Sequence, residues 1–104
     1  AWAKAWSNKD LEAYYLSYSR NFSSRKYRTH ERWKQEREKR IQRANDIDVK
    51  VENLKVSMIS HVTAKATFKQ VYTSQNYSDA IQKNFRLIKR DGVWRISDEY
   101  SRPL

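Results

Sequence analysis

The stretch FKQVYTSQNYSDAIQKNFRLIKRDGVWRI, residues 68–96, contains the alternation and the two turns that decide the fold. Apolar and polar residues alternate on both sides of the polar segment TSQNYSDA, and Asp91-Gly92 is a strong signal for a two-residue hairpin turn. Alternation with a period of two is typical of strands that bury one face. The stretch therefore predicts three consecutive antiparallel strands, of which the last spans residues 93–100.

A fourth strand is predicted immediately before these three, in the segment IDVKVENLKVSM, residues 47–58. Its first half alternates apolar with charged residues, and the alternation resumes at Leu54 with its phase shifted by one. A single extra residue in a strand shifts the phase in this way, so a β-bulge near Asn53 is the simplest cause. The C-terminal half thus predicts a four-stranded antiparallel meander.

In the N-terminal half, apolar residues recur with the spacing that is typical of α-helices. Trp2 and Trp6 are four residues apart and share one face of a first helix. Ser7 and Asp10 resemble a capping box with the shorter acid, which predicts that a second helix begins near Asn8. Aromatic residues at helical and strand periods predict the core, and they are Trp2, Trp6, Tyr14, Tyr18, Phe68, Phe85 and Trp94.

The segment THERWKQEREKRIQRA, residues 29–44, predicts a third helix that carries arginines on its apolar face, with Thr29 as its N-cap. At about 100° per residue, one stripe roughly 100° wide contains Trp33, Arg37, Arg40, Ile41 and Ala44. A buried charge without a partner is very costly. Arg37 and Arg40 therefore need partners, which are either internal carboxylates, with Asp98, Glu99 and Asp48 as candidates, or an anionic ligand.

Length and composition are those of one small folded domain. The chain has 104 residues, of which 38% are hydrophobic and 33% charged, and Ala1-Trp2 resembles the inside of a helix more than a natural start. We expect residues 1–104 to form a single domain that is a fragment of a longer protein. The predicted fold class is α+β, with two to three N-terminal helices packed on a curved four-stranded antiparallel sheet.

Charge and residue types restrict the possible functions. The chain has 22 lysine and arginine residues and 12 acidic residues, so its net charge is +10. Residues 1–45 carry +7 of this charge. Such a field attracts anions without choosing among nucleic acid, lipid headgroups and acidic glycans. The absence of cysteine excludes disulfides, thiolate metal sites and a cysteine nucleophile. We find no metal-ligand cluster, cofactor motif, signal peptide or apolar run of about 20 residues, and we expect no metal, no cofactor and no transmembrane segment.

Polar residues interrupt the inner face of the predicted sheet at one end only. A first turn centred near residues 77–78 would place Tyr72 opposite Lys83 and Gln70 opposite Phe85, and the Asp91-Gly92 turn would place Lys83 near Tyr100. This pattern suits the mouth of a cavity facing the third helix. The candidate ligand-binding residues are therefore Trp33, Arg37, Arg40, Gln70, Tyr72 and Lys83.

The segments AWAKAWSNKDLEAYYLSYSRNF, ERWKQEREKRI and VKVENLKV, together with residues 68–96, resemble the nuclear-transport-factor-2-like (SnoaL-like) superfamily. The chain is most similar to the C-terminal domain attached to many bacterial L,D-transpeptidase-type cell-envelope proteins. The resemblance implies a cone-shaped fold, in which a bent sheet wraps a long helix and leaves a pocket. It also implies a periplasmic or cell-envelope location, an attached catalytic or repeat domain, and homodimers formed through the sheet.

Catalysis is not favoured by the residues present. Catalytic relatives place an Asp, Glu or His base inside the cone, and the candidates here are His30, His61, Asp98 and Glu99. A carboxylate beside arginines has a lowered pKa, which makes it a poor general base near neutral pH. Transpeptidase chemistry needs a cysteine, which this chain lacks. We expect no enzyme, with a hydrolase- or isomerase-type site in the cone as the alternative.

Three functions remain to be compared. The first is a non-catalytic accessory binding domain of a cell-envelope protein, with a cationic and aromatic pocket for a small anionic ligand such as an acidic sugar or a peptidoglycan-derived carboxylate. The second is a protein–protein interaction or dimerisation module with no ligand. The third, nucleic-acid binding, is not favoured, because the aromatic residues lie at core periods and do not alternate with basic residues on an exposed strand face.

Overall fold

The computed structural model describes residues 1–104 as three helices followed by four strands. The helices are α1 (Trp2–Ser7), α2 (Leu11–Leu16) and α3 (His30–Arg43), and the strands are β1 (Asp48–Met58), β2 (Thr63–Ser74), β3 (Tyr77–Arg90) and β4 (Val93–Arg102). The strands form one antiparallel sheet in the order β1-β2-β3-β4. The predicted α+β fold, with helices against a curved four-stranded meander, is confirmed. No helix is long and apolar enough to cross a membrane.

Helix α3 begins at the predicted cap. Thr29 has an extended backbone, and its side chain accepts a hydrogen bond from the backbone N–H of Arg32. This bond satisfies one of the free amides of the first helical turn. The cap thereby sets where α3 starts.

The predicted cap of the second helix was placed on the wrong residue. Asp10, not Ser7, caps α2, because its carboxylate accepts from the backbone N–H of Ala13 at 3.2 Å. Ser7 is the last residue of α1, and its hydroxyl donates to the Ala3 carbonyl and accepts from the Val49 amide. The hydroxyl is therefore used to join α1 to β1, which no local pattern reveals.

The predicted bulge and the second hairpin are confirmed. The register between β1 and β2 shifts between Glu52 and Lys55, and Asn53 has a φ of 56°. Asparagine is one of the few residues that adopt this left-handed region readily. The second hairpin turns at Asp91-Gly92, as expected.

The first hairpin turns two residues earlier than predicted, so the expected cross-strand pairs were wrong. Strand β2 runs to Ser74 and β3 begins at Tyr77, which leaves Gln75-Asn76 as the turn. Tyr72 therefore lies opposite Asp79, and Lys83 lies opposite Phe68. The pairing of Gln70 is corrected in the same way, and its partner is Ile81.

Aromatic rings fill the space between the helices and the inner face of the sheet. Six of the seven predicted core aromatics are buried, and they are Trp2, Trp6, Tyr14, Tyr18, Phe68 and Phe85. Trp2 packs edge-on against Phe85, with ring centroids 5.1 Å apart. The prediction for Trp94 was wrong, since it is 37% exposed beside the Asp91-Gly92 turn. Apolar residues at that end of the sheet are exposed as well, so the helices cover only the opposite end.

Candidate functional site

Two adjoining clefts open between α3 and the inner face of the sheet. The larger cleft has a volume of about 460 Å³, and its lining includes Arg37, Arg40, Gln70 and Tyr72. The smaller cleft has a volume of about 270 Å³, and its lining includes Trp33, Arg37, Arg40 and Lys83. Both arginines line both clefts. The structure thus brings the six candidate residues around two connected spaces, and their role in ligand binding stays a prediction.

Arg37 is held in place by aromatic residues. Its Nε donates to the Tyr14 hydroxyl at 3.0 Å, and its guanidinium carbon lies 4.8 Å from the centre of the Trp6 ring. A cation over the face of a tryptophan is attracted by the ring quadrupole. Arg37 is half-buried and takes part in no ion pair. Its positive charge is therefore oriented, and Glu99 acts on that charge without forming a direct ion pair.

The three carboxylates considered as partners for the arginines of α3 pair with other cations. Asp98 lies 2.9 Å from Arg25, Glu99 Oε2 lies 2.7 Å from Lys83 Nζ, and Asp48 lies 3.9 Å from Lys50. The reason for the Glu99 partner is the register of β3 and β4, which puts Phe85 opposite Glu99 and brings Lys83, two residues along β3, within reach. Arg40 is exposed and takes part in no ion pair.

The Lys83–Glu99 pair belongs to a hydrogen-bonded network in the core. The two side chains are 10% and 15% exposed. Glu99 Oε1 also accepts from the Tyr18 hydroxyl at 2.7 Å, and that hydroxyl accepts from Trp2 Nε1 at 2.9 Å. Burial raises the pKa of Tyr18 well above its usual value, so the hydroxyl stays a donor. Lys83 therefore forms part of the wall of the smaller cleft with its charge already balanced.

The remaining three candidate residues differ in how much surface they offer. Trp33 is 2% exposed and its ring centre lies 4.6 Å from that of Tyr18, so it contributes mainly to the core. Gln70 is 4% exposed, and its Oε1 is buried without a hydrogen-bond partner. Tyr72 is half-buried and packs near Trp6. Of these three, Tyr72 presents the most surface to the larger cleft.

Several lining residues were missed from sequence. The larger cleft also contains Trp6, Arg43, Tyr77 and Asp79. Arg43 could have been found, since it lies three residues after Arg40 and thus on a neighbouring part of the same helix face. Tyr77 and Asp79 could not, because the misplaced turn removed them from the inner face. The Tyr77 hydroxyl donates to Asp79 at 2.9 Å.

The smaller cleft contains missed residues from the loop between α2 and α3 and from the end of β4. They are Ser24, Lys26, Tyr27 and Ser101, whereas Tyr100 was expected near Lys83 and lies in the same cleft. No short-range pattern relates this loop to the last strand, so only the folded chain shows that they are neighbours.

Both clefts carry an excess of positive charge. Arg37, Arg40 and Arg43 face one carboxylate, that of Asp79, in the larger cleft. The smaller cleft adds Lys26 to the two shared arginines, and its Lys83 is balanced by Glu99. Clefts lined by one sign of charge concentrate ions of the opposite sign. The arrangement is therefore suited to hold an anion.

The groups considered for catalysis lie elsewhere or are already bonded. Neither His30 nor His61 lines the two clefts. His30 Nδ1 contacts the Phe22 carbonyl, and His61 is exposed in the turn between β1 and β2. No group of three or more His, Cys, Asp or Glu side chains is placed to hold a metal ion.

Comparison with solved structures shows the same fold in several bacterial proteins. Bd1075 of Bdellovibrio bacteriovorus superposes with a TM-score of 0.89 and 20% identity, over 99% of this chain and 37% of Bd1075. The helical cell shape determining protein Pgp2 of Campylobacter jejuni gives 0.76 and 20%, over 95% of this chain and 37% of Pgp2. An uncharacterised protein with a cystatin-like fold from Caulobacter vibrioides gives 0.82 and 14%, over 100% and 82%. The chain thus spans little more than a third of the first two proteins.

Sequence comparison is more specific than the structural likeness. No curated protein matches the chain. Residues 1–100 match the family described as the Cds6 C-terminal NTF2-like domain. This match confirms the predicted resemblance to the nuclear-transport-factor-2-like superfamily, and it covers nearly the whole chain. The chain therefore belongs to the family of Cds6 C-terminal NTF2-like domains.

Proposed function

We propose that this domain is a non-catalytic binding module whose two clefts accept a small anionic ligand. One observation supports the proposal above all others: Arg37 and Arg40 line both clefts, and no carboxylate pairs with either of them. A guanidinium presents a rigid fork of donors that matches a carboxylate or a phosphate. An anion in the clefts would supply the partner that the folded chain does not.

The two arginines suit different parts of this task. Arg37 is oriented by Tyr14 and Trp6, so little conformational entropy is lost when it binds a ligand. Arg40 is exposed and free to adjust to the position of the anion. Tyr72 offers an aromatic surface beside them. A ligand with an acidic group and a flat or apolar part fits these contacts.

The cellular setting is proposed from the structural neighbours. Pgp2 is described as a helical cell shape determining protein. We place this chain in the same setting, as an accessory domain of a periplasmic or cell-envelope protein that carries a further catalytic or repeat domain. The ligands to be tried first are therefore acidic sugars and peptidoglycan-derived carboxylates.

The proposal is tested by thermal denaturation in the presence of muropeptides, sugar acids and short oligonucleotides at constant ionic strength. A ligand that binds only the folded state raises the melting temperature. We expect a shift with an acidic muropeptide or sugar acid, its loss in Arg40→Ala, and its retention in Arg32→Ala, which changes an exposed arginine of α3 outside both clefts. If no anion shifts the wild type, or if Arg40→Ala responds like wild type, the proposal is wrong.

A second candidate function, protein–protein interaction, is supported by an apolar patch at the β1–β2 hairpin. Its members are Val56, Met58, Ile59 and Val62, which are 57%, 60%, 50% and 48% exposed. Patches of this kind often mark contact surfaces. Light scattering at increasing concentration tests whether copies of the chain associate through the patch, and a monomer at every concentration would count against a homodimer.

A further inference from the structure

The two clefts adjoin along three residues that line both, and we call the two clefts together the groove. The shared residues are Trp6, Arg37 and Arg40. Each cleft also has a cation of its own, Arg43 in the larger and Lys26 in the smaller. The arrangement is a cationic groove with a shared middle and two distinct ends.

We propose that this groove binds a single elongated ligand with two acidic groups, one at the Arg43 end and one at the Lys26 end. The inference rests on the proposed function and adds the class of ligand to it. The shared chemistry is two anions separated by a neutral segment, as in a short acidic oligosaccharide or a peptide with two carboxylates.

The size of the groove exceeds what one small anion needs. The two volumes, about 460 Å³ and about 270 Å³, are each close to or within the range of sites that hold drug-sized molecules. With a helical rise of 1.5 Å per residue, Arg37 and Arg43 differ in height along α3 by about 9 Å. A ligand that reaches from the middle of the groove to its far end must therefore extend over several bonds.

Cations without an internal ion-pair partner are found at both ends of the groove. Arg43 and Lys26 are exposed, and neither takes part in an ion pair. In the smaller cleft Glu99 is already paired with Lys83. In the larger cleft Asp79 accepts from the Tyr77 hydroxyl, forms no ion pair, and is the one carboxylate in a lining that includes three arginines. Each end of the groove therefore keeps at least one uncompensated positive charge.

The middle of the groove differs from its ends. The Trp6 ring lies under the Arg37 guanidinium, which is also bonded to the Tyr14 hydroxyl. Trp6 and Tyr14 hold Arg37 in place beside Arg40, so each acidic group of a ligand can lie between one of these arginines and the cation of its own end, with the neutral segment across the middle. Two weak anion contacts joined by such a segment act together, because the second contact forms at a high effective concentration.

The experiment compares anions of one and two charges on the folded domain by heteronuclear NMR titration at constant ionic strength. The sugar pair is galacturonic acid and digalacturonic acid, and the peptide pair is N-acetyl-glycine and N-acetyl-Asp-Gly-Gly. We expect the longer member of at least one pair to bind about tenfold or more tightly than the shorter one, with amide shifts at both ends of the groove. The pair that shows the difference identifies the source of the ligand.

Two variants separate the ends of the groove. Arg43→Ala and Lys26→Ala should each reduce the affinity for the longer ligand to nearly that of the shorter one, and the double variant should add little further loss. The matched controls are Lys39→Ala on α3 and Arg28→Ala in the loop, which lie outside both clefts and should bind like wild type. All four side chains are exposed, so the fold should be retained, which circular dichroism checks.

The outcomes distinguish this inference from the proposed function. If both members of each pair bind equally, or if Lys26→Ala binds the longer ligand like wild type, a single-anion site remains and the two-ended groove is wrong. If neither member of either pair binds the wild type, while a muropeptide still raises its melting temperature, the two-anion class is wrong and the proposed function stands. If no anion of any kind binds, both are wrong.

Discussion

Glu99 Oε2 lies 2.7 Å from Lys83 Nζ, and this pair uses the carboxylate that Arg37 and Arg40 would otherwise need. The pairing determines the charge of the neighbouring clefts, because Lys83 is neutralised while the arginines of α3 keep their charges. The anion binding that we propose would therefore depend on a contact between two residues of which neither needs to touch the ligand.

Removing one member of this pair should destabilise the fold strongly. Lys83→Met leaves the Glu99 carboxylate buried with only the Tyr18 hydroxyl as partner, and loss of one partner from a buried pair typically costs about 3–5 kcal/mol. Urea denaturation measures the free energy of unfolding. The double variant Lys83→Met/Glu99→Leu should recover much of the loss, since it leaves no unpaired charge. A loss below about 1 kcal/mol in Lys83→Met, as for exposed pairs, would show that water reaches the pair.

Substitution of Arg37 should reduce the stability of the fold, whereas substitution of Arg40 should reduce ligand binding and leave stability nearly unchanged. Arg37→Ala removes the hydrogen bond to Tyr14 and the packing on Trp6, and we expect a loss of about 1–3 kcal/mol in the free energy of unfolding. Arg40→Ala changes an exposed side chain and should stay within about 0.5 kcal/mol of wild type. Its anion affinity should nevertheless fall. Urea denaturation and ligand titration of the same two variants check this, and equal stability losses would contradict it.

Stability should decrease in alkali because of the buried tyrosines. Burial raises the pKa of Tyr18 well above the usual value of 10.0, and burial likewise raises the pKa of Tyr15 to about 12. The unfolded chain therefore loses these protons first, so the stabilisation is complete below about pH 10 and decreases as the pH rises above it. The free energy of unfolding should be measured from pH 8 to 11.5.

The contribution of one tyrosine can be isolated by difference. Tyr18→Phe should be less stable than wild type at pH 8, and its stability should decrease less steeply above pH 10. Tyr27→Phe, which changes a tyrosine with no side-chain hydrogen bond, should follow the wild-type slope. If Tyr18→Phe had the wild-type slope, Tyr18 would not cause the alkaline loss.

The bulge in β1 should depend on asparagine at one position. Asn53 has a φ of 56°, where a β-branched residue is strained by roughly 1–2 kcal/mol. We expect Asn53→Val to destabilise the domain by about this amount and Asn53→Gly to be neutral or mildly stabilising. Thermal denaturation of both variants measures the effect. The control for the change in side chain is Ser57→Val, at an exposed position that is also on β1. A similar loss of stability in Ser57→Val would show that the loss in Asn53→Val does not come from backbone strain.

Much of the fold could be predicted because its signals are local. Thr29 caps α3 through an amide three residues away, and Asp91-Gly92 makes a turn from two adjacent residues. The first hairpin was misplaced because residues 73–80 contain several turn-forming residues and no glycine. Its position at Gln75-Asn76 is supported by a hydrogen bond from the Gln75 amide to the Asn45 carbonyl, 30 residues away.

The sequence by itself determined the order of the helices and strands, the bulge, and the presence of Arg37 and Arg40 on the inner side of α3. These properties follow from residue patterns that repeat every two to four positions, and such patterns can be recognised in the sequence without knowledge of the fold. The tertiary structure alone decided which cation Glu99 neutralises, that Trp33 is buried, and that Arg43 and Lys26 each line a cleft that Arg37 and Arg40 also line. Ion pairs form over distances of a few ångströms between residues far apart in the chain, so strand register and packing select them.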